Sequence, residues 1–517
     1  MPKKSQKADE YIGLKVHHPK FYSYDDMRSE LDRVFDICNG CRLCFKYCES
    51  FPIMFDKIDT KSEANRVAFL EANPDIAEEA KRKRAEMEAA EPDASKHGLE
   101  YAVAAGDERP ELSAGPEDLS ESDVKEIVDH CFQCKLCYIK CPYTPGDNHE
   151  FALDFPRLLL RYKAIEVKER GVPFIKKLMT NTDRLGGIAS QMAGLMNWAN
   201  KNPLNRAMME LVMGVHREKL LPEFHGDTFP KWWRKEGALG KAASDVSDQI
   251  ASKGEAAANA RPPVTRKIAL FSTCLVNYNS PGIGRSAVSV LRHNGVDVSW
   301  PSAQLCCGMP FCDSGDMDNA LANAKKNIEA FYPLVEEGRL VITLEPSCGL
   351  MFRQEYVQLT EGGDPELHRK AQAVASAVRD IHEYLFELKR EKTLKREFAK
   401  TFGKIKYHIP CHLRAQNIGY RSRDILKLFC DEVDLIDECS AHDGTWSMSK
   451  HYFDESQRYG KKLFDRIKPE DAPKSPDAHQ CDGVCTDCSL AGTQIMQGTG
   501  VESRHPVIML AEAYGLE

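Results

Sequence analysis

The sequence predicts a multidomain chain of mixed α+β and α/β class: a helical, cysteine-dense domain followed by two duplicated small α/β cysteine-rich domains. Three observations carry this. The 517 residues include 19 cysteines. Eight of these fall into two runs of identical spacing before residue 142. Beyond residue 263 a pattern of strand followed by cysteine occurs twice, with offsets of 137 residues (274 to 411) and 133 residues (306 to 439). The length alone suits three or four domains.

Composition narrows the class. With 42% hydrophobic and 29% charged residues the chain can bury real cores, and a net charge of -8 argues against a nucleic-acid binder. The start, Met1-Pro-Lys-Lys-Ser-Gln-Lys, is polar and leads into no apolar stretch, so no export signal is expected. No run of about 18 apolar residues occurs, which excludes a spanning helix. The expected location is the cytoplasm, where thiols stay reduced; metal binding then explains the cysteines better than disulfides.

Taken in order, residues 1–30 form a polar leader. Residues 31–160 form the first domain, with a charged insertion at 61–120 whose Glu78-Glu79-Ala80-Lys81-Arg82-Lys83-Arg84 reads as a solvated helix followed by a loop. Residues 161–262 form a methionine-rich amphipathic helical segment ending in a Gly/Ala/Ser/Lys linker. There Leu185, Ile188, Met192, Leu195 and Met196 recur at helical spacing, Met208, Met209 and Met213 follow, and Trp232-Trp233 sits between Lys231 and Arg234. Three readings fit this segment: packing against the cysteine domains, a docking face, or an in-plane anchor with apolar face in lipid and basic flanks at headgroups. Residues 263–400 and 401–517 are the two copies of the α/β domain.

The two runs are Cys38-Asn-Gly-Cys41-Arg-Leu-Cys44-Phe-Lys-Tyr-Cys48 and Cys131-Phe-Gln-Cys134-Lys-Leu-Cys137-Tyr-Ile-Lys-Cys141-Pro142. Both read C-x2-C-x2-C-x3-C. Three cysteines at intervals of three wrap one corner of an iron–sulfur cube, and the fourth reaches the partner cluster. Two [4Fe–4S] clusters are expected, one on Cys38, Cys41, Cys44 and Cys141, the other on Cys131, Cys134, Cys137 and Cys48. Structural zinc draws on well-separated pairs, usually with histidine, and suits such dense runs poorly. Glu49 stands where proline would follow Cys48, a departure in the turn and not in the ligand set.

In the duplicated part, Lys267-Ile-Ala-Leu-Phe-Ser-Thr-Cys274 is echoed by Lys404-Ile-Lys-Tyr-His-Ile-Pro-Cys411. Cys306-Cys307-Gly308 is echoed by Cys439-Ser440, and each copy closes on late cysteines, Cys348 in one and Cys481, Cys485 and Cys488 in the other. Strand-like runs such as Leu340-Val-Ile-Thr-Leu344 alternate with helical stretches, placing cysteines at strand ends. Cys312 and Cys430 do not recur in register and read as buried thiols.

This module resembles the CCG, or cysteine-rich, domain of the heterodisulfide reductase B-subunit and its relatives. The whole layout resembles the anaerobic glycerol-3-phosphate dehydrogenase C-subunit family over roughly residues 30–60 and 120–517. Supporting stretches include Pro142-Tyr-Thr-Pro-Gly-Asp-Asn-His149, Pro410-Cys411-His412-Leu-Arg414 and His505-Pro-Val-Ile-Met-Leu-Ala-Glu-Ala-Tyr-Gly515. Glycolate oxidase and lactate-utilisation iron–sulfur subunits share the architecture more loosely. The resemblance implies a non-catalytic electron-transfer subunit of an oxidoreductase. It would relay electrons from a flavoprotein dehydrogenase partner to a quinone or other acceptor, and would sit in the cytoplasm or peripherally on the inner face of the membrane.

The departures from that pattern matter. The fullest domain ends in C-x2-C, but Glu345-Pro-Ser-Cys348 and Cys488-Ser-Leu-Ala491 each keep one cysteine, and Cys439 is followed by Ser440. Neither copy therefore has a five-cysteine set. One or two further iron–sulfur centres, or zinc, are expected on Cys274, Cys306, Cys307 and Cys348 and on Cys411, Cys439, Cys481, Cys485 and Cys488. Two other functions stay open at this point. One is a heterodisulfide or thiol-active reductase using the duplicated domains; the other is a redox or peroxide-stress accessory protein.

Two weaker patterns read as structural. Gly282-Ile-Gly284 lies too far past its strand for a dinucleotide fingerprint and reads as a turn into a helix. His408, His412 and His442 lie near cysteines and read as hydrogen-bonded side chains rather than ligands.

Overall fold

The apolar run Ile268–Phe271 has no polar alternation, as expected of a strand covered on both faces. In the computed structural model it lies inside a four-stranded parallel sheet ordered β2-β1-β3-β4, with β1 Lys267–Phe271, β2 Asp297–Ser299, β3 Leu340–Thr343 and β4 Val378–Asp380. A second parallel sheet has the same plan, ordered β6-β5-β7-β8, from β5 Phe402–His408, β6 Cys430–Ile436, β7 Gly483–Thr486 and β8 Ser503–Arg504. In each sheet the order reverses between the first and third strands. That reversal leaves a crevice at their carboxyl ends, the usual ligand position in such sheets.

The structure describes residues 7–8, 10–79, 81–82, 112–236, 265–468 and 481–516. Most of the sequence 80–111, including the expected loop of the insertion, and the linker at 237–264 lie outside these residues.

The chain divides into two units. One comprises Met1–Tyr11, Tyr24–Cys131 and Pro142–Leu158. Its helices are α1 (Tyr24–Cys41), α2 (Ser50–Ala72) and α3 (Glu121–Asp129). Ser120 caps α3, accepting from the Asp123 N–H while the Asp123 carboxylate accepts from the Ser120 N–H. Phe35, Phe51 and Phe155 form its aromatic core, with Phe51 stacked on Phe155 at 4.5 Å.

The other unit comprises Ile12–Ser23, Phe132–Cys141 and Leu159–Glu517 and contains both sheets. One core joins the two copies: Leu270, Val290, Leu291 and Leu385 of the first pack with Tyr407, Met509 and Leu510 of the second, all fully buried. A polar seam runs beside it. His505 Nε2 donates to the Leu344 carbonyl (3.1 Å), and His382 Nδ1 meets the Asp487 carboxylate (3.1 Å).

Gly284 lies within the helix Pro281–His293, where a Cβ would meet the Phe229 ring at 2.5 Å and Val276 at 2.8 Å. The glycine thus permits close helix packing, which is its role here. Trp232 and Trp233 pack against the same core rather than facing outward. Among the described residues no helix is long and apolar enough to cross a membrane.

Candidate metal centres

The two four-cysteine runs share one backbone device. The residue after the second cysteine is left-handed in each, Arg42 at φ 50° and Lys135 at φ 60°. Uncommon for side-chain-bearing residues, that conformation turns the chain between the second and third cysteines. In the first unit, Cys38 and Cys41 lie in the last turn of α1, and Arg42 is tied to Asp59 and to the Asn39 carbonyl. Cys48 is buried just before α2, where the N–H groups of Ser50 and Phe51 point at its sulfur. Burial, with the neighbouring Cys131 adding to it, pushes the Cys48 thiol well up. The fourth cysteine of the first run thus lies beside the first cysteine of the second.

In the second unit, Cys137 lies on the short helix Leu136–Lys140, with Cys134 just before it and Cys141 just after. Lys135 is buried in an ion pair with Glu355. Gln133 offers its carbonyl to His412 Nε2 (3.0 Å), whose Nδ1 in turn faces Ser347 Oγ (2.8 Å). Because a carbonyl can only accept, His412 donates from Nε2 and receives the serine hydroxyl on Nδ1. Burial pushes this imidazole down to about 4, so it is neutral at pH 7. His408 is held the same way, donating to the Glu438 carbonyl and accepting from Thr486.

The first copy gathers four thiols at the crevice of its sheet. Cys274 opens the helix Cys274–Tyr278, three residues beyond the end of β1, after a left-handed Thr273 (φ 64°) that caps it. Cys348 lies on the helix Pro346–Leu350 beyond β3. Cys306 and Cys307 come in on a bend closed by Gly308 at φ 90°, a conformation glycine adopts without strain. The sulfurs interact in sequence, Cys274 with Cys306, Cys306 with Cys307, and Cys307 with Cys348. Cys306 receives the thiols of Cys274 and Cys307 and the Gly308 N–H, which hold it well below the ordinary thiol value.

The backbone of this bend is fixed by side chains that the sequence reading did not single out. Asn323 and Asn327 donate to the Cys306 carbonyl (3.0 and 3.2 Å), Tyr356 donates to the Cys307 carbonyl (2.8 Å), and the Cys306 N–H is taken by Asp183. Burial, then the charge of Cys306, raises the Asp183 carboxyl to about 7. One usable signal was Asn327, an amide on the buried side of an otherwise apolar face of the helix Met317–Glu336.

In the second copy the same bend persists as Cys439-Ser440-Ala441, with Ala441 at φ 50° where the first copy has Gly308. Cys411 follows β5 by three residues, as Cys274 follows β1. Cys411 and Cys439 are in contact, Sγ to Sγ 3.9 Å, and Cys134 is near enough to act on Cys411 electrostatically. The other three candidates are placed elsewhere. Cys485 lies in β7 opposite Tyr407, inside the core. Cys481 precedes β7, beside Lys404 at the start of β5 and so at the other end of the sheet. Cys488 occupies the position of Glu345 in the first copy, and its interactions are with Glu345 and the N–H groups of Leu490 and Ala491. Ala491 stands where the first copy has Cys348. An open cleft of about 1080 Å³ reaches Cys488, lined also by Pro281, Met496, His505 and Ile508. Cys312 and Cys430 are both buried in the cores. Among the described residues no three Cys, His, Asp or Glu side chains are set to hold a single metal ion.

The methionine-rich segment folds into α6–α9 once the helices are numbered through Leu136–Lys140 (α4) and Phe155–Arg170 (α5): α6 Phe174–Thr180, α7 Thr182–Gln191, α8 Ala193–Lys201 and α9 Pro203–Met213. These helices expose Phe174 (78%), Leu204 (81%) and Leu211 (82%), together with Ile188, Met192, Leu195, Trp198 and Met208. Residues 174–213 carry five basic side chains against two acidic ones, in a chain of net charge -8.

Comparison with known proteins agrees with these features. A family model described as the cysteine-rich domain, CCG, matches residues 268–353. The chain is similar to the C-subunit of anaerobic glycerol-3-phosphate dehydrogenase from Escherichia coli, 26% identical over 339 residues, spanning 65% of this chain and 76% of the relative. Lactate utilization protein A of Bacillus pumilus is 34% identical over 147 residues, 28% of this chain and 58% of that protein. An uncharacterized iron–sulfur protein of Methanocaldococcus jannaschii is 35% identical over 174 residues, 33% of this chain and 30% of that protein.

Proposed function

We propose that this chain is the iron–sulfur electron-transfer subunit of an oxidoreductase, working between a flavoprotein dehydrogenase and a quinone or other acceptor. The observation that carries the reading is the convergence of Cys274, Cys306, Cys307 and Cys348 at one sheet crevice, downstream of two runs spaced for [4Fe–4S] binding. The likeness to a dehydrogenase subunit and to an iron–sulfur protein supports it. In the proposal Cys38, Cys41, Cys44 and Cys141 hold one cluster, and Cys131, Cys134, Cys137 and Cys48 the other. The proximity of Cys48 to Cys131 supports that crossing. A third centre rests on the four thiols of the first copy.

Bound clusters would supply one-electron transfer, which suits a protein placed beside a two-electron flavin donor. This chain's own residues do the rest. N–H groups of Ser50, Phe51 and Gly308 point at ligand sulfurs, an arrangement that favours the thiolate and raises a cluster's potential. Asn323, Asn327 and Tyr356 fix the bend that presents Cys306 and Cys307.

For the acceptor side we propose peripheral attachment to an anionic bilayer through α6–α9. Their exposed apolar side chains and basic excess suit an in-plane contact better than a water-facing one. Of the readings the sequence left open, this exposure favours the anchor over packing.

The test is EPR during graded reduction of anaerobically purified protein, wild type against Cys307→Ser. The expected result is loss of one signal, with the signals of the two runs kept. An unchanged spectrum would remove the third centre from the account.

A further inference from the structure

We propose that Cys411 and Cys439 form a redox-active dithiol–disulfide pair, so that the second copy is a thiol-exchange site and not a second metal centre. A four-ligand cluster needs four donors, and here two of the first copy's four have been replaced: Ser440 stands for Cys307 and Ala491 for Cys348. Cys488 does not make up the number, because it is engaged with Glu345. What remains is one pair of half-buried thiols with sulfurs 3.9 Å apart, in van der Waals contact. A modest side-chain rotation closes that gap to the roughly 2.05 Å of a disulfide.

The geometry also orders the two sulfurs. Cys411 donates its S–H to Cys439, and the Ala441 N–H donates to the same Cys439 sulfur at 3.2 Å. Cys439 is therefore the attacking thiolate and Cys411 the resolving thiol. With a small disulfide RSSR as oxidant, Cys439 attacks one sulfur, forming a mixed disulfide and releasing RS⁻. Cys411 then attacks Cys439, closing the internal disulfide and releasing the second RS⁻. The Cys411 proton and the one that Cys439 gave up to solvent on ionising end on the two released thiolates, so one RSSR becomes two RSH while the pair loses two electrons. The left-handed Ala441 keeps the bend of the first copy and so preserves the approach of Cys439 to Cys411 although the metal-ligand set is gone.

The test uses full-length, anaerobically purified protein equilibrated in glutathione buffers of graded GSH/GSSG ratio, alkylated, and digested with trypsin without reduction. The expected product is a peptide of residues 407–414 linked to residues 428–450 through Cys411 and Cys439, disappearing reversibly at high GSH. Cys439→Ser should abolish it and leave iron and zinc per chain unchanged. Either loss of metal in Cys411→Ser or Cys439→Ser, or full alkylation of both cysteines at every ratio, would overturn the proposal. Cys274→Ser, which should lose iron, is read alongside: its failure would count against the centre in the first copy and leave the dithiol untouched.

Discussion

The Lys135–Glu355 pair offers a strong test of how the second run is seated. Both side chains are buried, 4% and 0% exposed, within the same unit. Glu355→Gln keeps the volume but takes away the carboxylate paired with the ammonium, leaving Asp313 and Asp443 to act on it electrostatically, and removing one partner of a buried pair costs about 3–5 kcal/mol. Replacing both partners, Lys135→Met with Glu355→Met, removes the ammonium as well and should recover most of the stability. Urea unfolding followed by tryptophan fluorescence at pH 7 measures all three proteins. A single variant within about 1 kcal/mol of wild type would refute the reasoning, since that is the range of a solvated pair. So would a double variant as unstable as the single.

Three further outcomes follow from the same geometry. Gly284→Ala drives a methyl into Phe229 and Val276 and should cost about 1–3 kcal/mol in the same unfolding assay, whereas an open glycine such as Gly282 should tolerate alanine. His408 is held neutral by burial, down at about 4, while the unfolded chain binds its proton below about 6.5; stability is therefore lost as pH falls through that window. The gap between wild type and His408→Gln should accordingly change by about 3 kcal/mol between pH 7 and pH 4, the comparison isolating it from Asp380 and Glu345, whose raised values of about 7 and 8 act in the opposite sense. Leu204→Glu with Leu211→Glu should lower co-sedimentation with vesicles of phosphatidylglycerol at least tenfold without altering the unfolding midpoint; unchanged binding would move the contact off α9.

The parts of this protein that spacing controls were legible without coordinates. Strands covered on both faces announce themselves as short apolar runs. The duplication showed for the same reason, since Cys274 and Cys411 each stand at a fixed distance past a strand. Contributions from far along the chain were hidden. Nothing near Cys306 and Cys307 in sequence points to Asp183 or Tyr356, which reach them across the fold. The late cysteines of the second copy were indistinguishable by count, because their spacing does not say that Cys485 lies within β7 and faces the core while Cys488 lies two residues past its end, against Glu345. The stripe at Ile188, Met192 and Leu195 was equally ambiguous, since helical periodicity shows an apolar face but not whether a neighbour covers it.

The central claim is that the two N-terminal runs hold paired cubane clusters. Iron and acid-labile sulfide, measured per chain on anaerobically purified protein, test it most directly. The account predicts at least about eight irons with matching sulfide, and about twelve if the centre in the first copy is a cluster of the same size. A value well below eight, or zinc in place of iron, would contradict it.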